Sequence, residues 1–165
     1  MSTEVGSDLV QRIQRLEDVE AIKRLQAEYG RCVDRGYDLE GLARLFVEEA
    51  VWESNAFGAY RSRQEFLDGQ AKIAKGVRWG FHSFACNGVD IASDGKHASG
   101  NWYLVLFGTF VRKDGVTADP LLITATYDNT LVKVDGQWKF QHMKVHFHQS
   151  SDIRRGWIEQ PFWDE

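Results

Sequence analysis

Cysteine is scarce in this chain, with two in 165 residues. Neither Cys32 nor Cys86 stands in a spacing that zinc ligation or dithiol redox chemistry uses, which sets aside a disulfide framework and a cysteine-built metal site. Both fall in apolar patterns and read as buried, reduced thiols. Long apolar runs are also missing, since no stretch approaches the roughly 18 residues of a membrane span. No basic segment followed by an apolar one opens the chain, so neither secretion nor membrane insertion is expected and the chain reads as cytoplasmic. Positive charge is thin: 20 Lys and Arg stand against 24 Asp and Glu, for a net charge of −4. Arg61-Ser62-Arg63 and Arg154-Arg155 are too short to track a phosphate backbone, and no nucleic-acid partner is expected.

What is abundant is aromatic. Phe, Tyr and Trp make up 13% of the residues, with six Trp, more than a core of this size needs. Two readings stand side by side: a pocket for a large, flat or apolar ligand, or a Trp-rich core with a subunit interface. The length suits one domain, large enough to bury roughly two thirds of its surface.

Residues 1–7 are small and polar and are expected to be disordered. From Asp8 the spacing is helical, with Leu9, Ile13 and Leu16 on one stripe and Ile22, Leu25, Tyr29 and Cys32 on another. The stripe changes register near Leu16–Val19, which predicts a kink or two consecutive helices. Asp38 caps a short helix over 39–46, and Ser62 with Glu65 forms a capping-box pattern for a third helix running to about Lys75. Between them 47–54 reads as a strand and 58–60 as its short return. Four long strand patterns follow, over about 77–92, 97–112, 120–134 and 137–148. Asp94-Gly95, Asp114-Gly115 and Asp135-Gly136 separate them as hairpin turns. The tail, 151–165, is aromatic without a period and must cover a pocket or an interface. Helices followed by a long antiparallel meander predict a single α+β domain over 8–150, with a curved sheet packed on the helices around a cone-shaped cavity.

Asp34 is the oddly placed acid. Gly36 ends the first helix, so the Asp34 carboxylate lies at the partially negative end of the helix dipole, a cost of a few tenths of a kcal/mol unless a donor faces it. A helical wheel sets Asp34 off the buried stripe, with Tyr29 on it. His82, in the apolar run 79–84, is the candidate partner: a carboxylate fixes one imidazole tautomer and raises its basicity. The bland alternatives are a solvated Asp34, a satisfied strand histidine at 82 and a core Tyr29. On the last strand His142, Lys144, His146 and His148 share a parity. That cluster reads as an exposed face, as a wall residue at His146, or least of all as a metal site, and no metal is assigned.

Tyr-x4-Asp closing the first helix, His82 in the first long strand and Asp-Gly-x-Trp-Lys-Phe opening the last one together resemble the NTF2-like superfamily. The SnoaL-like branch, which includes bile-acid 7α-dehydratase, scytalone dehydratase and lindane dehydrochlorinase, is the most similar. The resemblance covers about residues 8–150. It implies the NTF2-like cone, a cofactor-independent reaction and a dyad of Asp34 and His82, with Tyr29 assisting the leaving group. Two features of that branch lack a counterpart: a second catalytic histidine, where 101–110 offers only Asn101 and Tyr103, and an arginine, which falls at Lys133 or Val134.

Taken with these residues, the resemblance implies a lyase that abstracts a proton and eliminates water or formaldehyde from a bulky hydrophobic or aromatic small molecule, such as a steroid, a polyketide or a lignin-derived dimer. His82 is the base, Asp34 its orienter and Tyr29 the acid. Trp52, Tyr60, Trp79, Phe84, Asn101, Trp102 and His146 are the expected substrate-binding residues, with Trp157, Phe162 and Trp163 as a lid from the tail. An isomerase or cyclase of the same fold, and a non-catalytic binding protein or dioxygenase β-subunit-like chain, are the alternatives. A homo-oligomer is expected, a trimer ahead of a dimer.

Overall fold

The computed structural model describes residues 2–164, except for the side chains of residues 2–5 and 7. Helix α1 spans Ser2–Asp34, α2 Leu39–Leu45 and α3 Arg63–Ala74; a single turn, α4, spans Gly156–Glu159. Strands β1 (Phe46–Ser54) and β2 (Gly58–Tyr60) lie between α2 and α3, and β3 (Val77–Ile91), β4 (His97–Val111), β5 (Ala118–Val134) and β6 (Gln137–Asp152) follow. They form one sheet in the order β2-β1-β6-β5-β4-β3. Neighbours pair antiparallel except β1 with β6, which run parallel. Helices on a curved, open, mostly antiparallel sheet make this the NTF2-like α+β fold.

The local rules hold in detail. Asp38 accepts from Gly41 N at 2.9 Å to cap α2. Ser62 accepts from Glu65 N at 3.2 Å, and Glu65 reaches back to Arg61 N at 2.7 Å, one residue before the cap. Only Asp135-Gly136 is a two-residue turn with both φ angles positive, 49° and 78°. Asp94 and Asp114 sit in longer turns, where each carboxylate accepts two backbone N–H groups.

Helix α1 is one element where the shifting stripe suggested two. Its two stripes serve different surroundings. Ile22, Gln26, Tyr29, Gly30, Cys32 and Val33 are buried against the domain, while Leu9, Val10, Ile13 and Leu16 remain exposed. The first turns of α1 fall inside the stretch 1–7 expected as disordered, of which Met1 lies outside the described residues. Asp18 pins the middle of α1 to the far strands by accepting from Trp138 Nε1 at 2.9 Å and pairing with Lys133 at 2.5 Å.

The core fills the concave side of the sheet. Trp102, Leu104, Leu131, Phe140, Met143 and Val145 meet Ile22, Leu42, Phe46 and Phe66 from the helices there. Cys32 is buried in it, whereas Cys86 is exposed, against expectation. Cys86 stands on the outermost strand beside a bulge between Cys86 and Gly88, so its apolar neighbours in sequence do not enclose it. A second bulge, at Gln141, lets Trp138 and Phe140 face inward while His142, Lys144, His146 and His148 face outward. No helix among the described residues is long and apolar enough to cross a membrane.

Candidate active site

Gly30 brings α1 close to β3. A Cβ there would lie 3.1 Å from the Phe84 ring and 3.7 Å from the His82 Cβ, so the missing side chain is what allows the approach. One helical turn on, Asp34 reaches His82. Its Oδ1 lies 2.6 Å from His82 Nδ1, and its two oxygens accept the His82 backbone N–H at 3.1 and 3.2 Å. The donors missing at the helix terminus are thus supplied by a strand. The wheel placed Asp34 off the stripe because Gln26 and Gly30 carry no hydropathy signal, yet both are buried and continue the face to Asp34. The His82 side chain is 9% exposed and that of Asp34 25%.

An ionised carboxylate only accepts, so the imidazole proton on this side belongs to Nδ1, and Nε2 keeps its lone pair. His82 stands in the wall of a cavity of about 850 Å³ between helices and sheet, a volume that suits a bulky small molecule. Phe84 stacks beside the imidazole at 6.3 Å between centroids and packs edge-on to Tyr127 at 5.1 Å.

Four tyrosines share the cavity wall with His82, and burial shifts three of them, Tyr29, Tyr37 and Tyr127. Burial pushes the Tyr29 hydroxyl up to about 12, with Tyr127 and Trp52 pulling slightly the other way. Burial, then the nearby Tyr29, holds Tyr127 well above the usual phenol value. Tyr37 is raised by burial and by the neighbouring Tyr29 and Asp34. All three are neutral donors at physiological pH. Tyr37 follows Gly36 with φ of +63°, a left-handed conformation that non-glycine residues rarely adopt.

The C-terminal tail completes the wall with Phe162 and Trp163. It lies along β6, where Ser150 N donates to Pro161 O at 3.0 Å. Buried Asp119 anchors it, accepting from Trp163 Nε1 at 2.8 Å, Arg112 Nε at 2.6 Å and Arg154. Burial works to raise Asp119, but these donors outweigh it and hold the carboxyl below its ordinary value.

Of the residues singled out in the sequence, Tyr29, Trp52, Tyr60 and His82 line the cavity, with Asp34 behind His82 and Phe84 packed on Tyr29 and His82. Four others lie elsewhere. Trp102 is buried in the core away from the cavity lining. Trp79 is 55% exposed on the outer face of the sheet. Asn101 is on that face too, bonded to Asp128 at 2.5 Å and to Asn87 at 2.6 Å. His146 packs there against His148, which contacts Thr126 at 3.1 Å, while His142 faces Glu53 at 3.3 Å. Among the described residues no three His, Cys, Asp or Glu side chains gather as a metal would require. Trp157 is exposed and outside the lining. Tyr37, Gln70 and Tyr127 line the cavity without having been marked in the sequence. Parity was a usable signal for Tyr127, which alternates in phase with Leu121, Ile123 and Ala125.

The model of the SnoaL-like domain matches residues 14–144. No curated protein matches the chain. Among solved structures, a putative scytalone dehydratase from Novosphingobium aromaticivorans is similar with a TM-score of 0.76 at 23% identity, over 86% of this chain and 91% of that one. A type 2 hexachlorocyclohexane dehydrochlorinase is similar with a TM-score of 0.76 at 21% identity, over 86% and 93%. A type 3 dehydrochlorinase from Novosphingobium barchaimii gives 0.74 at 20%, over 86% and 94%.

Proposed function

The chain belongs to the SnoaL-like domain family, and from that premise we propose that it is a lyase whose own side chains supply the base and the acid for an elimination. The observation that carries this reading is the 2.6 Å contact between His82 Nδ1 and Asp34 in the wall of a large aromatic cavity. His82 Nε2 takes a proton from the substrate, and Asp34 holds the imidazolium that forms. From a carbon acid, the C–H electron pair becomes a C=C bond as the neighbouring C–O bond breaks, and the departing hydroxyl collects a proton and leaves as water. From a hydroxymethyl substrate, loss of the O–H proton lets that electron pair form the C=O of formaldehyde as the C–C bond breaks, and the C–C pair left on the remaining carbon takes a proton back from the His82 imidazolium. Tyr29 donates to the departing or developing oxygen, and a neutral phenol is the form that can donate. A putative dehydratase and dehydrochlorinases among the similar structures accord with an elimination.

The aromatic walls point to a bulky hydrophobic or aromatic substrate, and the anchored tail covers it from water. The sheet's outer face carries Trp79, Phe81, Tyr103, Val105 and Phe107, all exposed. Phe81 and Phe107 are direct cross-strand partners, so the patch is continuous. A patch of this kind is covered in a homo-oligomer by a second copy.

Mass spectrometry of steroid, polyketide and lignin-dimer alcohols, incubated with wild type and His82→Ala, tests the reaction. Loss of water or formaldehyde with wild type alone is the expected result. Turnover unaffected in His82→Ala sinks the dyad, and a product of unchanged mass replaces the lyase with an isomerase of the same site.

A further inference from the structure

Helix α3 turns Phe66, Gly69, Gln70 and Ile73 toward the domain interior, the i, i+3, i+4, i+7 set of an apolar face. Three of these suit such a face and Gln70 does not. It is 3% exposed and stands in the cavity wall. Its amide has no hydrogen-bond partner among the described residues. The other buried polar side chains each keep at least one bond, although Gln26 Nε2 and Asn129 Oδ1 stay unpaired. Gln26 meets Asn129, Asp18 meets Trp138 and Lys133, and Asp119 and Asp152 meet Arg154. Ser151 and Gln160 bond within the tail region. The Gln70 amide therefore faces the cavity with its hydrogen-bonding groups free for a ligand rather than spent on the fold.

A second buried donor lies in the same wall. Trp52 Nε1 meets no acceptor in full hydrogen-bond geometry and approaches the Tyr29 hydroxyl. The Trp52 ring packs 6.2 Å from Phe66, one helical turn before Gln70, and 5.6 Å from Tyr60. The Tyr60 ring in turn occupies the space over Gly69, where a Cβ would lie 2.3 Å from it. Trp52 on β1 and Gln70 on α3 both line the cavity, while the dyad stands on β3 and α1.

We propose that Gln70 is a specificity-determining residue that binds a hydroxyl group of the substrate, on a different wall of the cavity from His82. Its amide offers N–H donors and one carbonyl. A hydroxyl oxygen accepts from the donors and its O–H donates to the Gln70 carbonyl, so both ends of the amide are used. A bare carbonyl or a carboxylate leaves that Gln70 oxygen without a donor. The substrate is thus a bulky aromatic or alicyclic compound with a second hydroxyl. This rests on reading the cavity as a substrate site, but not on the chemistry of the dyad.

The test is calorimetric binding of naphthol against naphthalenediol, and of hydroxybiphenyl against dihydroxybiphenyl, to wild type, Gln70→Leu and His82→Ala. Wild type is expected to bind the diol of at least one pair about tenfold more tightly than its partner. Gln70→Leu removes that increment and His82→Ala retains it. An increment that survives in Gln70→Leu, that is lost equally in His82→Ala, or that is missing from wild type overturns the proposal. Failure of wild type to bind any of the four compounds sinks the cavity as a ligand site, and this proposal with it. Without ligand, Gln70→Leu should leave Tm within about 2 °C of wild type, since the amide has no protein partner to lose. A Tm lowered further would mark Gln70 as a structural residue instead.

Discussion

Asp34 makes three contacts with one residue, and they separate its roles. Asn at this position keeps an oxygen for the His82 backbone N–H, but it lacks the charge that holds an imidazolium, and its NH2 can donate to Nδ1 and favour the wrong tautomer. Asp34→Asn is therefore expected to fold with little change in Tm while losing about 10²–10⁴ in kcat, measured on whichever alcohol the mass screen identifies. Equal losses in stability and activity would instead make Asp34 a helix-terminus residue. Tyr29 carries a pH prediction. Its hydroxyl titrates at about 12 in the folded chain against 10.0 for the ordinary group. A raised value means the folded state holds this proton more tightly, so the stabilisation is complete below pH 10 and is lost as pH rises from there toward 12. In denaturant titrations across that window wild type should lose stability relative to Tyr29→Phe as pH rises, and an alkaline fall in activity below it should persist in Tyr29→Phe.

In the proposed reaction helix α1 carries the orienting acid and β3 the base, and Gly30 lets the two elements approach. Gly30→Ala gains helix propensity of about 1 kcal/mol but places a methyl against the Phe84 ring. The expected result is a stability change of either sign within about 1 kcal/mol together with a kcat reduced by about tenfold or more, because a small displacement of α1 lengthens the Asp34–His82 contact. Kinetics beside a denaturant curve checks this, and unaltered kcat would show that β3 follows the helix. Much of this geometry was legible at element level. The caps at Asp38 and Ser62, the Asp-Gly turns and the long strands are local features, and each stands where the pattern indicated. The parallel pairing of β1 with β6 was not legible, because no turn joins the two strands.

At the scale of the molecule, the exposed aromatic face of β3 and β4 is expected to be covered by a second copy. Light scattering after size exclusion should report a homo-oligomer for wild type. Phe81→Glu, a charge at the centre of that face, should shift it to monomer with the far-ultraviolet spectrum unchanged. A monomeric wild type would remove the interface reading. Several aromatic and polar candidates were misassigned at this scale by treating them as one set. Alternation puts Trp79 and Phe81 opposite His82 and Phe84, Asn101 opposite Trp102, and His146 opposite Val145. Adjacent strand residues cannot both face one cavity.

By itself the sequence determined what depends on a few neighbouring residues: helix periodicity, caps, turns, strand lengths, the α+β class and the candidate chemistry of Tyr29, Asp34 and His82. Tertiary structure decided which of those residues meet. Asp34 and His82 are 48 positions apart, and their contact depends on two buried residues, Gln26 and Gly30, that no hydropathy pattern marks. Tyr37, Gln70 and Tyr127 entered the site in the same way, because a cavity is closed by elements far apart in the chain. Local propensity acts over one or two turns, whereas the wall of a cone is assembled only when the sheet curves and the helices dock.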